Sequence, residues 1–113
     1  MPTKSPQLAN LLKLVDTPRD GALLRFSLGS EYLKTGELEP AISHLEAAIR
    51  KDPGYSAAWK LLGKALGQTG RKHDALATYR EGIVAAQKKG DLQALREMSV
   101  FVRRLEKELE TRS

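Results

Sequence analysis

The chain has no cysteine, which removes disulfide staples, thiolate metal sites and a cysteine nucleophile from consideration. Aromatic residues make up only 5% of it, lean for an all-β sandwich and ordinary for a helical protein. Its longest uncharged run is about eight residues, against the roughly 20 apolar residues that span a bilayer, so no membrane span is expected. The opening Met1-Pro2-Thr3-Lys4-Ser5-Pro6 and the interrupted Leu8-Ala9-Asn10-Leu11-Leu12-Lys13 are too polar for a signal-peptide core, and the chain reads as cytoplasmic. Histidine is scarce as well. His44 and His73 are the only two, and neither has a second histidine one helical turn away, as a helical metal site would want. What remains is 113 residues, 41% hydrophobic and 29% charged, enough for one globular domain burying roughly two thirds of its extended-chain surface.

The chain overlays on itself at a shift of 34 residues. Leu28-Gly29 falls on Leu62-Gly63, Gly36 on Gly70, Ala41 on Ala75, Leu45 on Tyr79 and Ile49 on Ile83, without a gap. Between these anchors apolar residues recur every three or four positions, the period of a helix. Thr17-Pro18-Arg19-Asp20 reads as a helix start, with a hydroxyl N-cap, proline in the first turn and an acid at the positive end of the dipole. Glycine stops follow at Gly36, Gly70 and Gly90, and Asp52-Pro53-Gly54 breaks the helix before it. The predicted organisation is a flexible N-terminus (1–6), then one domain over 7–113. That domain holds a leading helix (7–15), a first helical pair (18–53), a second pair (55–89) and a final helix (91–110) capped by Asp91.

Trp59, Leu62-Gly63, Ala75 and Tyr79 in the second pair, with Leu28-Gly29, Tyr32, Ala41, Ala48 and Pro53 in the first, resemble the tetratricopeptide repeat family. The resemblance covers residues 22–89. It implies an all-α antiparallel helix-hairpin array, a right-handed superhelix of two repeats with N-terminal and C-terminal capping helices, whose first helices line a concave groove. Four positions depart from the pattern. Arg25 replaces the first aromatic, Leu66 stands where Tyr is usual, Gly82 replaces the equivalent of Ala48, and Gln87 replaces the closing proline. These losses predict that the second repeat runs on into a longer helix.

Small residues suit places where antiparallel helices cross closely, so Gly29 and Gly63 are expected to face Ala41 and Ala75, with Trp59, Leu62, Leu66, Tyr79 and Ile83 filling the surrounding space. The final helix fits the repeat only after a shift of two residues. Leu95, Met98, Ser99 and Val102 then take the places of Trp59, Leu62, Gly63 and Leu66, making it a solvating half-repeat over the open face of repeat two. Leu8, Leu11, Leu12 and Val15 suit the leading helix to the other end.

No nucleophile, base or metal cluster and no glycine-rich phosphate loop is legible, so neither enzyme activity nor a cofactor is expected. Charge is more informative. Residues 1–53 carry seven Lys and Arg against seven Asp and Glu, residues 91–113 five against five, and residues 54–90 seven against two. The whole excess of +5 therefore belongs to the second repeat.

The side chains flanking the buried positions of the first helices are Leu23, Phe26, Ser30, Leu33 and Lys34, then Ala57, Lys60, Lys64, Gly67 and Gln68, then Gln93, Arg96, Val100, Arg103 and Arg104. Such a groove is apolar at one end and cationic at the other. It predicts capture of an acidic peptide or helix with an apolar anchor, steered by Lys60, Lys64, Arg96, Arg103 and Arg104 and anchored by Leu23, Phe26 and Leu33. The same residues admit a plainer reading, in which the lysines are merely solvated and the apolar end holds the leading helix. The resemblance does not extend to the carboxylate clamp of chaperone-binding relatives. Phe26 and Ser30 stand where that clamp wants Lys and Asn, and Leu61 replaces a second Asn. The alternatives are a nucleic-acid binder, encouraged by a pI near 9.6 but short of exposed stacking rings, and a structural oligomerisation unit. The stripe Leu95, Met98, Val102, Leu105 and Leu109 would serve the latter as a homodimer contact.

Overall fold

The computed structural model describes residues 6–111 and, among them, contains six helices and no strand. They are α1 (Pro6–Leu12), α2 (Ala22–Lys34), α3 (Leu38–Lys51), α4 (Ser56–Gln68), α5 (Lys72–Lys89) and α6 (Leu92–Glu110). Residues 1–5 of the N-terminus predicted to be flexible lie outside the described residues, whereas Pro6 already belongs to α1. The leading helix is shorter than the expected 7–15. After Leu12 the chain tightens into turns, with the Leu14 and Val15 amides donating to the Leu11 and Leu12 carbonyls.

Three of the glycine stops share one geometry. Gly36, Gly70 and Gly90 have φ of 79°, 82° and 75°, the left-handed region that side chains avoid. Each is followed by a long reach back into its helix: Glu37 N to Tyr32 O, Arg71 N to Leu66 O and Asp91 N to Ala86 O, at 3.0, 3.0 and 2.9 Å. These are Schellman closures, which satisfy the last carbonyls and reverse the chain within a few residues. α5 does run longer than α3, 18 residues against 14, as the missing proline predicted. Asp91 caps α6 by accepting from the Ala94 amide (3.1 Å) and is itself held by Ser56 Oγ (2.6 Å).

The start of α2 differs from expectation. It begins at Ala22 after Gly21, not at Pro18, and Thr17 caps no helix. Residues 16–20 instead form a turn in which Asp16 takes φ 64° and donates its amide to the Asp20 carboxylate (2.8 Å). Asp20 grips the guanidinium of Arg25 through Nε (2.8 Å) and Nη2 (2.9 Å), and Arg25 Nη1 reaches His44 Nδ1 (3.2 Å). A forked charge-assisted pair outweighs a helix cap. It also accounts for Arg25 at an aromatic position: the cation has its own buried partner there.

Packing follows a knob-and-hole rule rather than the expected meeting of small residues. A Cβ on Gly29 would stand 2.5 Å from Leu45 Cγ, and one on Gly63 2.5 Å from Tyr79 Cε1. The glycines therefore face Leu45 and Tyr79, one turn beyond Ala41 and Ala75, and a Cβ on Gly29 would also stand 3.3 Å from the Ala41 carbonyl oxygen. Gly82, a departure from the repeat pattern, is a third hole: its Cβ would meet Met98 Sδ at 2.6 Å and Trp59 Cβ at 2.7 Å. Met98 is fully buried, and with Ala94 and Leu105 it joins α6 to the larger core of Leu45, Leu62, Leu66 and Tyr79. Ser99, expected to be the close contact of α6, is half-buried and spends its hydroxyl on the Leu95 carbonyl. A smaller core joins Leu8 of α1 to Leu24, Leu28 and Tyr32 of α2, as expected of an N-terminal cap.

Candidate functional site

The backbones of α2, α4 and α6 approach one another in sequence, whereas those of the second helices α3 and α5 do not. An array closed on one side and splayed on the other curves toward the closed side, so α2, α4 and α6 form the inner face. The molecule is 19 Å thick, two helix layers. Two depressions lie on the inner face. One of about 220 Å³ is lined by Ser30, Leu33, Lys34, Leu61, Lys64 and Gln68. The other, about 440 Å³, is lined by Gly63, Lys64, Gly67, Gln68, Tyr79, Phe101, Arg104 and Leu105. Lys64 and Gln68 belong to both, so the two form one trough.

The structure brings together five of the predicted site residues in that trough: Ser30, Leu33, Lys64, Gln68 and Arg104. It does not bring in the rest. Leu23 is 69% exposed but lies outside the trough, and Phe26, half-buried, packs on the larger core with the Tyr55 ring 5.0 Å away, so neither serves as an anchor within it. Lys60 Nζ sits 2.5 Å from Glu97 Oε1. Arg96 and Arg103 are exposed on α6 but line neither depression. The residues that sequence reasoning missed are Tyr79, Phe101 and Leu105, which floor the larger depression. The signal that pointed there was Gly67, a glycine within a helix with no turn to make.

Charge is also redistributed. Lys60–Glu97, Lys72–Glu108 and Arg80–Glu106 tie repeat two to α6 at 2.5, 3.3 and 2.6 Å, so acids of the balanced final segment neutralise cations of the unbalanced one. Exposed pairs of this kind contribute at most about 1 kcal/mol each, but they decide which cations stay available. Lys64 and Arg104 are not ion-paired among the described residues, and Arg104 lies over the Phe101 ring at 5.7 Å. Burial pushes the Tyr79 phenol up to about 12, against the opposing pull of Arg104, so it is a protonated donor at neutral pH.

The heptad stripe on α6 is largely consumed by this packing. Leu105 is buried and Phe101 stacks on Tyr79 at 5.2 Å, which leaves Leu92 and Val100 as the exposed large apolar residues of that helix. Trp59 is half-buried rather than buried: it lines an outer depression of about 360 Å³ with Pro53, Val84, Glu81, Lys88 and Lys89. Among the described residues no helix is long and apolar enough to cross a membrane.

Comparison with known proteins agrees with this architecture. Residues 26–90 match the family model described as tetratricopeptide repeat. The chain is 43% identical over 100 residues to the TPR repeat-containing protein PA0015 of Pseudomonas aeruginosa, covering 88% of this chain and 95% of that one. It superposes on the solution structure of protein BPP2914 from Bordetella parapertussis with a TM-score of 0.78 at 40% identity, over 96% of this chain and 91% of the other. The Sgt2 TPR domain from Aspergillus fumigatus shares the fold, with a TM-score of 0.76 at 22% identity, over 91% and 66% of the two chains.

Proposed function

Because the chain belongs to the tetratricopeptide repeat family, we propose that it is a non-catalytic protein-interaction module that captures an acidic peptide or helix in the trough between α2, α4 and α6. Members of this family generally mediate protein–protein interaction. The observation that carries the finer reading is the trough's chemistry. Its lining offers apolar Leu33, Leu61, Phe101 and Leu105 beside the unpaired cations Lys64 and Arg104, with Lys34 held by Glu31 at 3.1 Å, and no carboxylate among the lining residues. A partner with its own carboxylates beside an aliphatic side chain answers both features. Arg96 and Arg103 extend the field along α6 and steer the approach, while Lys60 serves mainly to hold Glu97. The reading takes the cytoplasm as the compartment.

The test is charge reversal of Lys64 and Arg104 together, applied to the partner recovered by affinity capture from native lysate. Association is expected to slow by about tenfold at low salt and to lose most of its salt dependence. Binding that ignores both changes would refute the trough. The outer depression beside Trp59, Lys88 and Lys89 keeps a nucleic-acid reading in view, but Glu81 on its rim repels phosphate. Filter retention of a single-stranded oligonucleotide, weakening steeply with salt, would favour that rival.

A further inference from the structure

Gly67 is the helical glycine that packing leaves unexplained. Gly29, Gly63 and Gly82 are holes for neighbouring side chains, and Gly36, Gly70 and Gly90 need positive φ. Gly67 has neither reason: it lies inside α4, in its last turn, without a left-handed backbone, and a Cβ there would meet nothing within 4 Å. The position 34 residues earlier in the repeat carries Leu33, so a leucine suits this place in the helix. What the missing side chain leaves is the open volume of the larger depression, floored by Tyr79, Phe101 and Leu105.

Around that volume stand donors without partners. Lys64 and Arg104 are not ion-paired, and neither the Tyr79 hydroxyl nor the Gln68 amide makes a hydrogen bond among the described residues. Tyr79 is only 5% exposed, and its hydroxyl keeps its proton at neutral pH. We propose that Gly67 keeps open a specificity pocket for one aliphatic side chain of a partner polypeptide, with an adjacent carboxylate held by Lys64, Arg104 and the Tyr79 hydroxyl. A polypeptide fits better than a free organic acid because the pocket continues through Lys64 and Gln68 into the second depression beside Ser30 and Leu33, which takes the residues that follow. This pocket rests on the reading of the inner face as the capture surface and adds to it the residue that selects the ligand.

The experiment is an NMR titration of the full ¹⁵N-labelled chain with the peptide acetyl-Leu-Glu-Leu-Glu-amide, compared with acetyl-Leu-Lys-Leu-Lys-amide. In wild type the amides of Gly63, Gly67, Gln68, Phe101 and Leu105 should shift with the acidic peptide and not with the basic one. Gly67→Leu should weaken that binding by about tenfold or more while melting no lower than wild type, and Gly67→Ala should fall between. Equal affinity in Gly67→Leu, with shifts confined to Ser30, Leu33 and Leu61, would overturn the pocket and leave the inner face standing. Shifts confined to α3 and α5, or no shifts at the peptide's solubility limit, would overturn both.

Discussion

A methyl group on Gly63 should destabilise this protein although alanine is the better helix former. The added Cβ would lie 2.5, 2.6 and 2.7 Å from three ring atoms of Tyr79, where carbons normally rest about 3.5–4.0 Å apart. The ring is buried and stacked on Phe101, so it can move aside into the depression it floors only by giving up that packing. Overpacking of this kind costs about 1–3 kcal/mol, and the helix-propensity gain of alanine over glycine offsets about 1 kcal/mol of it. Gly63→Ala should therefore lose up to about 2 kcal/mol, and Gly63→Leu about 2 kcal/mol or more. Gly67→Ala, four residues on in the same helix and with no neighbour to strike, keeps the gain without the cost and should stabilise by up to about 1 kcal/mol. Thermal and urea unfolding of the two variants checks the sign, at roughly 3–6 °C per kcal/mol for a chain of this size. In a Tyr79→Ala background the penalty at Gly63 should vanish. Gly63→Ala melting as high as Gly67→Ala would refute the knob-and-hole account.

Gly82→Ala should also destabilise, by about 1 kcal/mol, because Trp59 Cβ at 2.7 Å cannot yield even though the flexible Met98 thioether can; urea unfolding reads the loss. Acid should weaken the fold in two steps, followed by melting temperature against pH. His44 is held below its usual range, by burial first and by Arg25 next, so the stability it contributes is complete above the unfolded histidine range and is lost as pH falls below it. Asp20 is held well below the usual carboxylate range, chiefly by hydrogen bonds from Arg25, so its contribution persists to lower pH and disappears only in strong acid. His44→Gln should remove the first step and Asp20→Asn the second; unchanged profiles would contradict these roles.

The repeat was legible because its determinants are local or strictly periodic. Gly36 and Gly70 mark Schellman closures 34 residues apart, and Gly29 and Gly63 mark holes at the same interval. What was not legible depended on partners distant in sequence. Thr17 reads as a cap because the local pattern does not show that Arg25, held in place by His44 from the next helix, takes Asp20 for itself. Gly82 looked like a lost alanine because its knob, Met98, comes from the next helix. Periodicity picks out the side chains that flank the buried positions of α2, α4 and α6, but not which of them stay open. Leu23 and Phe26 share the periodicity of an inner-face residue, and only the packing of Tyr55 shows Phe26 to be partly covered. Charge counts likewise placed the excess on repeat two, and only the pairing of Lys60, Lys72 and Arg80 with α6 shows which cations are spent.

Photo-crosslinking from single positions tests the inner face most directly. A crosslinking side chain at Leu33 or Lys64, both on the trough, is predicted to trap the same acidic partner segment from native lysate, whereas one at exposed Ala77 on α5 traps none of it. The partner trapped from Ala77 and not from Leu33 or Lys64 would contradict the account.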